Sequence, residues 1–396
     1  MYDFDRIISR EGTNAVKYDA LEKEFGRCDL TPLWVADMEF ATPDFIMDAL
    51  RQRLEHPILG YTAEPAEWRT SIVDWQEARH GWKIDPEWLC FIPGIVKGIA
   101  FAVNALTDKG DKIIIQPPVY HPFRIVPEEL GREVVNNRLI EKCGGGYEMN
   151  LEELRWLVCD PKCKMLILSN PHNPAGLVWP RETLREVAKI CSSHNVIVIS
   201  DEIHCDLPLF GNRHIPFAMV SDEAAGCSIT FGAPSKTFNM AGLASSFAVV
   251  GNEGLRKRLF QWISACELDF PQIFAPLAAV AAFTKGEPWR LELVAYLENN
   301  VVRTEEWFRE HLPQIEPWRP EASFLIWLDC RKLGLDHGEL VSLFTDKARL
   351  ALNDGEMFGP GGEGFMRLNI GEPWKMLHEA LTRLESAVRG LPSKAL

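Results

Sequence analysis

The strongest constraint on the fold of this chain is a set of five short runs of apolar residues rich in isoleucine and valine. These runs are Lys112–Gln116, Lys164–Ser169, Val196–Ser200, Ser228–Gly232 and Ser245–Val250. Runs that are apolar at successive positions are typical of strands covered by helices on both faces. Longer helical patterns lie between them, such as Arg181–His194 after Pro180. The alternation predicts an α/β structure with a mostly parallel sheet sandwiched by helices.

The two ends of the chain have a different pattern. Residues 1–45 are mixed and turn-rich. Towards the other end, a long charged helical pattern is followed by strand-like segments at Ala322–Leu328 and Gly364–Asn369. The chain has 396 residues, of which 46% are hydrophobic, and this is enough for a large core and a smaller one. We predict a large domain at residues 46–285 and a smaller α+β domain at 286–396, which the N-terminal segment joins.

The composition argues against several classes of partner. The formal net charge is −14, and such a surface disfavours nucleic acid and anionic membranes, whose phosphates need clustered Lys and Arg. No apolar run is long enough to span a membrane, and the first residues lack the pattern of a signal peptide. We therefore expect a cytoplasmic protein that acts on small molecules.

The ten cysteines have no regular spacing, which favours reduced and mostly buried thiols in a cytoplasmic protein of this size. Cys159 and Cys163 are four residues apart, but no second pair of Cys or His accompanies them. Since a structural zinc site needs such a second pair, we expect no metal site.

Polar residues follow three of the strand-like runs. Asn173 comes after the second run, Asp201 after the third and Lys236 after the fourth. Ligands bind at the carboxyl ends of strands in open α/β sheets, so these side chains are expected at one edge of one sheet. Pyridoxal 5'-phosphate (PLP) needs a lysine that forms a Schiff base, an aspartate that keeps the pyridine nitrogen protonated and a neutral donor for the phenolic oxygen. The set predicts a PLP enzyme that acts on amino acids.

Each of these residues also has an ordinary structural explanation. Asp201 is at a position typical of a helix N-cap, Asn173 is a common turn residue before proline, and Lys236 is compatible with a solvated surface. The occurrence of all three at strand exits, in this order, favours the cofactor site over three separate coincidences.

A phosphate-binding turn is expected where the run Trp88–Ile92 meets the next helical pattern. Gly94 allows a tight turn, and the N–H groups of Ile95 and Val96 would face an anion at the start of the helix. Strand–glycine–helix junctions are common, so this pattern alone is weak. Ser235, beside the lysine, is a second candidate phosphate ligand.

Nine short motifs occur in an order that resembles one enzyme family. They are YDFD (2–5), WVADMEF (34–40), GYT (60–62), HGW (80–82), PPVYHPF (117–123), NPHNP (170–174), DEIHCDL (201–207), SKTFNMAGL (235–243) and FMRLNIGEP (365–373). Together they resemble the fold-type I PLP enzymes of the aminotransferase class I/II superfamily, and within them the cystathionine β-lyase/C–S lyase group. The resemblance covers nearly the whole chain.

The resemblance implies roles for residues around the cofactor. Lys236 would carry PLP, Asp201 would pair with the pyridine nitrogen, and Asn173 and His204 would contact the phenolic oxygen. Tyr120 would stack on the ring, although an aromatic residue in a proline-rich turn is the alternative explanation.

The resemblance also implies a homodimer and a substrate-binding residue. Tyr61 would reach the phosphate of the neighbouring subunit's cofactor, which places the active sites at the interface; a core or hinge aromatic is the alternative. Arg367 would bind the substrate α-carboxylate as a bidentate pair, with a surface ion pair as its alternative. Trp34, Asp37 and His121 are candidates for lining the substrate pocket.

Three positions depart from the usual pattern of these enzymes. Ala175 replaces a usual Thr and Ala322 a common Gly. Ala244 stands eight residues after the lysine, where many aminotransferases have a phosphate-binding Arg. The absence of that Arg suits the lyase-like group and weakens a plain aminotransferase assignment.

Three functions are compatible with these residues. The first is β-elimination on cystathionine or a cysteine S-conjugate, which gives pyruvate, ammonia and a thiol, with Lys236 as the general base. The second is transamination, which begins with the same proton removal. The third is a PLP-fold protein whose main role is to bind a regulatory partner. The presence of Lys236, Asp201 and Arg367 argues against a catalytically inactive scaffold.

Overall fold

A sheet of seven strands forms the centre of the fold in the computed structural model, which describes residues 2–391. Its strands, in spatial order, are Leu89–Ile92, Ser246–Val249, Ser228–Gly232, Ile197–Asp201, Cys163–Ser169, Lys112–Ile115 and Glu133–Asn136. Five adjacent strands, from Ser228–Gly232 to Glu133–Asn136, run parallel to one another, and Ser246–Val249 is antiparallel to both strands beside it. The predicted mostly parallel sheet is confirmed. We call it the large sheet.

The large sheet is apolar on both faces because alternate residues of each strand enter two different cores. Ile114 packs in the core on one face, while Ile113 and Ile115 pack in the core on the other. In the next strand, Leu166 packs in the same core as Ile114, and Ile167 packs in the core of Ile113 and Ile115. The helices of this part of the chain are Asp44–Leu54, Ala66–His80, Ile95–Leu106, Pro122–Glu129, Leu151–Leu157, Arg181–Ser193, Asp222–Cys227, Glu253–Ala265 and Ala275–Lys285. Burial under helices on both sides explains why these strands carry no alternating polar residues.

A second sheet is built from the C-terminal part of the chain. Its antiparallel strands, in spatial order, are Glu316–Trp318, Leu325–Asp329, Phe365–Asn369 and Asn353–Asp354. The accompanying helices are Glu287–His311, His337–Ser342 and Trp374–Arg389. Near the N-terminus, Thr31–Pro32 pairs in parallel with Leu350–Ala351. This pairing supports the prediction that the N-terminal segment joins the C-terminal part, although the domain boundaries themselves stay predictions.

Two elements differ from the expectations. The strand Glu133–Asn136 was not anticipated because it lies at the edge of the large sheet and is only partly buried, so it lacks a continuous apolar run. The predicted strand from Ala322 begins at Leu325 instead, and Ala322 forms an isolated antiparallel bridge with Pro208. Among the described residues, no helix is long and apolar enough to cross a membrane.

A buried charge network fixes the N-terminal segment against the rest of the fold. The Nζ atom of Lys17, which is fully buried, lies 2.7 Å from Glu372 and 3.0 Å from Glu39. Arg10 adds a second cation, 2.8 Å from Glu39 and bidentate to Asp37. Burial raises the pKa of Glu372 to about 8, and the charge of Lys17 opposes this effect. The carboxylates depend on the two cations because an unpaired buried charge is costly.

We predict that Lys17→Ala lowers the free energy of unfolding by about 3–5 kcal/mol, because it leaves Glu39 and Glu372 buried without their main cation. Urea denaturation followed by circular dichroism measures the change. Lys23→Ala is the matched control, since Lys23 is 83% exposed and pairs only with Glu24. Equal unfolding curves for the two variants would show that the network does not hold the segment in place.

Candidate active site

A cavity of about 200 Å³ lies where the parallel strands of the large sheet end. Its lining residues are Ala36, Gly94, Ile95, Val96, Tyr120, Ser169, Asn173, Asp201, Ile203, His204, Ser235, Lys236, Ala241, Ala244, Ser245 and Ser246. In-register pairing of Ser169 with Asp201, and of Asp201 with Phe231, brings the three strand ends side by side. The structure therefore gathers every cofactor-binding residue predicted from the sequence except Tyr61.

Lys236 lies in this cavity with its amine buried. Its Nζ donates a short hydrogen bond to the backbone carbonyl of Ala36. The pKa of Lys236 is lowered to about 8, mainly by burial; Asp37 opposes this shift, nearby Arg367 adds to it, and Asp201 opposes it. At pH 7 roughly a tenth of such amines are neutral, against roughly 3 in 10,000 for an ordinary lysine. The environment therefore makes Lys236 a competent nucleophile and base near neutral pH.

Asp201 is the last residue of the strand Ile197–Asp201, and His204 follows three residues later. Burial raises the pKa of Asp201 to about 7, although its Oδ1 accepts a 3.1 Å hydrogen bond from the Ile203 N–H. Burial holds the pKa of His204 well below its usual value, and its Nδ1 lies 2.9 Å from the hydroxyl of Ser323. No ion pair of Asp201 forms among the described residues. A carboxylate of this kind fits a cationic ring nitrogen, which would restore its ionised form.

The end of the cavity formed by Gly94–Val96 has the backbone expected of an anion site. Gly94 has φ 114° and ψ 143°, a conformation that a residue with a Cβ rarely adopts. The twelve-residue helix Ile95–Leu106 begins directly after it, without a side-chain cap. Its first N–H groups and the positive end of the helix dipole are thus available to a phosphate.

Arg367 is a buried cation that lacks an anion. Its Nη1 donates to Asn173 Oδ1 at 3.0 Å, and its Nη2 donates to the Trp34 carbonyl and to Asn353 Oδ1 at 2.8 and 2.6 Å. Its Nε is buried without a hydrogen-bond partner. Within residues 2–391 no carboxylate pairs with it, and burial lowers the pKa of Arg367 to about 10. At neutral pH it stays charged, and a carboxylate ligand would supply the missing counter-charge.

Five predicted residues do not line this cavity, and one of them, Arg367, reaches it through its hydrogen bond to Asn173. The Trp34 indole donates to the Lys17 carbonyl and packs against Phe25, so only its backbone carbonyl reaches Arg367. The carboxylate of Asp37 is paired with Arg10. Their predicted contact with substrate stays a prediction.

His121 and Tyr61 are the other two of these residues. The His121 ring lies 5.1 Å from that of Tyr120, and burial lowers the pKa of His121 to about 4. Tyr61 is fully exposed and contacts no part of the cavity in its own chain. A core position for Tyr61 is thereby ruled out, and its predicted contact with a second subunit stays a prediction.

The sequence did not indicate the serine pair at positions 245 and 246. Ser246 pairs with Ile92, and its strand is antiparallel to the neighbours, so it begins at the edge where they end. Ser245 donates to the Ala275 carbonyl at 2.9 Å, whereas the hydroxyl of Ser246 has no partner in the described part of the chain. The direction of a strand is not visible in its apolar pattern, so the only available signal was the pair of serines before FAVV.

Comparisons with known proteins identify the family of this chain. A family model described as aminotransferase class I and II matches residues 29–384. The chain is 42% identical to the cystathionine beta-lyase PatB of Bacillus subtilis, over 98% of this chain and all of that protein. The resemblance found in the motifs is confirmed.

Solved structures that contain PLP also match nearly the whole of this chain. A PLP-bound putative aminotransferase from Clostridium difficile is 40% identical, covers 98% of this chain and 100% of its own, and has a TM-score of 0.96. Cystalysin from Treponema denticola, which contains PLP, is 32% identical over 99% of this chain and 100% of its own, with a TM-score of 0.95. The predicted fold class is confirmed.

We predict that Asp201→Asn weakens PLP binding about 10- to 100-fold. The amide keeps the shape of the side chain and its bond from Ile203 but loses a charge-assisted hydrogen bond worth about 1.5–3 kcal/mol. Titration of the cofactor-free protein with PLP, followed by visible absorbance, measures the affinity. Asp74→Asn, an exposed change within the helix Ala66–His80, is the control. Equal affinity in the two variants would contradict the assignment.

Proposed function

This chain belongs to the aminotransferase class I and II family, and from that premise we propose that it is a PLP-dependent carbon–sulfur β-lyase. It would cleave cystathionine or a cysteine S-conjugate to pyruvate, ammonia and a thiol. The observation that carries the proposal is the placement of Lys236 and Asp201 in one cavity, with Arg367 hydrogen-bonded to Asn173 in its lining. The lack of an arginine at Ala244, where many aminotransferases bind phosphate, favours the lyase over transamination.

The cavity residues suit PLP in charge and position. Asp201 would face the pyridine nitrogen, Asn173 and His204 the phenolic oxygen, and Tyr120 the face of the ring. Gly94, Ile95, Val96 and Ser235, with Ser246 added, would hold the phosphate. When bound, the cofactor supplies a ring that accepts electrons from the Cα of the substrate and so makes its proton removable.

Lys236 would move the proton in this reaction. Its amine has a depressed pKa and so has a neutral fraction that accepts the Cα proton near pH 7. The same amine, now protonated, would donate to the sulfur that leaves from Cβ. The carbonyl of Ala36 is within hydrogen-bonding reach and orients the amine.

Arg367 would orient the substrate through its α-carboxylate. Three oxygen acceptors fix the plane of the guanidinium, and burial strengthens its attraction for an anion. One of those acceptors is the Trp34 carbonyl, so the N-terminal segment takes part in positioning the substrate-binding residue.

The lyase proposal is tested by an assay without any keto acid. The PLP-loaded protein is incubated with L-cystathionine or an S-alkyl-cysteine, and pyruvate and thiol are measured. We expect multiple turnovers. Activity that needs an added keto acid would overturn the lyase in favour of an aminotransferase, and inactivity in both assays would favour a binding role.

We also propose that the protein is a homodimer with Tyr61 reaching the cofactor site of the partner. Support comes from a cluster of exposed apolar side chains beside it: Leu54, Ile58 and Leu59 are 55–66% exposed. Patches of this kind mark protein–protein contacts. A location in the cytoplasm is proposed as well, since none of the ten cysteines, all within the described residues, forms a disulfide.

Hybrid dimers test the shared site. Tyr61→Ala and Lys236→Ala subunits carrying different tags are co-expressed, and the mixed dimer is purified with both tags. One of its sites combines both changes and the other has neither, so we expect about half of the wild-type activity, although each parent is nearly inactive. A mixed dimer as inactive as its parents would show that Tyr61 does not act across subunits.

A further inference from the structure

A second, larger cavity of about 780 Å³ lies away from the active site and shares no lining residue with it. It is an open groove between the loop 208–219, the ends of two helices at Arg79 and Arg181, and the first turns of the helix Glu287–His311. We name it the arginine groove.

The charge of the arginine groove is opposite to that of the protein. Four arginines line it, Arg79, Arg181, Arg213 and Arg290, against a single carboxylate, Glu298. The whole chain has 42 basic and 56 acidic side chains, so an average surface of this protein would show more acids than bases. A local positive site on such a protein attracts small anions.

Two of the four arginines are already neutralised and have structural roles. Arg290 is buried and donates two 2.8 Å hydrogen bonds to Glu287. Arg79 lies 3.3 Å from the same carboxylate and 3.9 Å from Asp206. These two arginines line the groove, but their charges are already paired with carboxylates.

A group of possible metal ligands beside the groove does not suit a metal ion. His80, Cys205 and Asp206 have ligand atoms within 4.8 Å of one another. Both carboxylate oxygens of Asp206, however, accept from the Trp75 indole at 3.0 Å, and Arg79 already supplies a positive charge beside it. A metal cation would have to displace these groups.

The other two arginines are free to bind. Arg181 donates only to the Met219 carbonyl, at 3.4 Å, and Arg213 is exposed and has no partner among residues 2–391. Arg181 is also the first residue of the thirteen-residue helix Arg181–Ser193, whose positive end adds to the field. Planar guanidinium groups of this kind bind phosphate or carboxylate through paired N–H donors.

The groove also has an apolar side. Leu291 is 55% exposed, and Val294 and Met219 are only partly buried beside it. An apolar surface beside free arginines suits a ligand with an apolar ring or chain and one anionic end.

We propose that the arginine groove binds a small organic anion, with its phosphate or carboxylate on Arg181 and Arg213 and its apolar body against Leu291. This site is independent of the proposed lyase reaction. It would give the protein a ligand other than its substrate and cofactor.

Calorimetric titration of the PLP-loaded protein tests the proposal with three probes. Adenosine monophosphate carries a phosphate, indole-3-acetate carries a carboxylate, and adenosine is the neutral comparison. We expect saturable binding of at least one of the two anions, at one per chain, and at least tenfold weaker binding of adenosine. The anion that binds identifies which oxyanion the arginines recognise.

Variants locate the binding. Arg181→Gln/Arg213→Gln should weaken binding of the anion at least tenfold, and Leu291→Ser should weaken it as well. Arg138→Gln, an exposed arginine outside the groove, is the matched control and should bind as wild type. Unchanged thermal unfolding of the variants shows that they are folded.

Two results would overturn the proposal. One is the absence of binding by both anions at millimolar concentration. The other is binding that the double variant retains at full affinity, because such binding would belong to another part of the protein.

Discussion

The active site depends on the burial of charged groups that have no full partner among residues 2–391. Burial lowers the pKa of Lys236 and of Arg367 and raises that of Asp201, so in each case it favours the neutral form. An isolated buried charge is costly, and a protein lowers that cost by pairing it. Here the pairing is incomplete. An anionic, ring-containing ligand would supply the missing partners, and this makes its binding favourable.

The N-terminal segment also contributes to this site. The backbone carbonyl of Ala36 accepts from Lys236, and that of Trp34 accepts from Arg367. Both carbonyls are held in place because Lys17 and Arg10 fix the neighbouring Asp37 and Glu39 through the buried network. A change at Lys17, which does not line the cavity, is therefore expected to reach the active site through the backbone.

Much of the fold and of the cofactor site could be predicted from the sequence, because both depend on order along the chain. Apolar runs placed the strands, and the residues that follow them, Asn173, Asp201 and Lys236, had to meet at one edge. Ser246 could not be predicted, since its position depends on a reversed strand that has the same apolar pattern as a parallel one. The orientation of Trp34 and Asp37 was likewise set by partners distant in sequence, Lys17 and Arg10.

The central claim is that Lys236 is the residue that carries the cofactor. Reduction of the PLP-loaded protein with sodium borohydride, followed by digestion and mass spectrometry, locates the covalently attached pyridoxyl group. The account predicts this group on the peptide containing Lys236 and its absence, together with the visible cofactor absorbance, from a Lys236→Ala protein. A pyridoxyl group on another lysine, or a Lys236→Ala protein that keeps the absorbance, would contradict it.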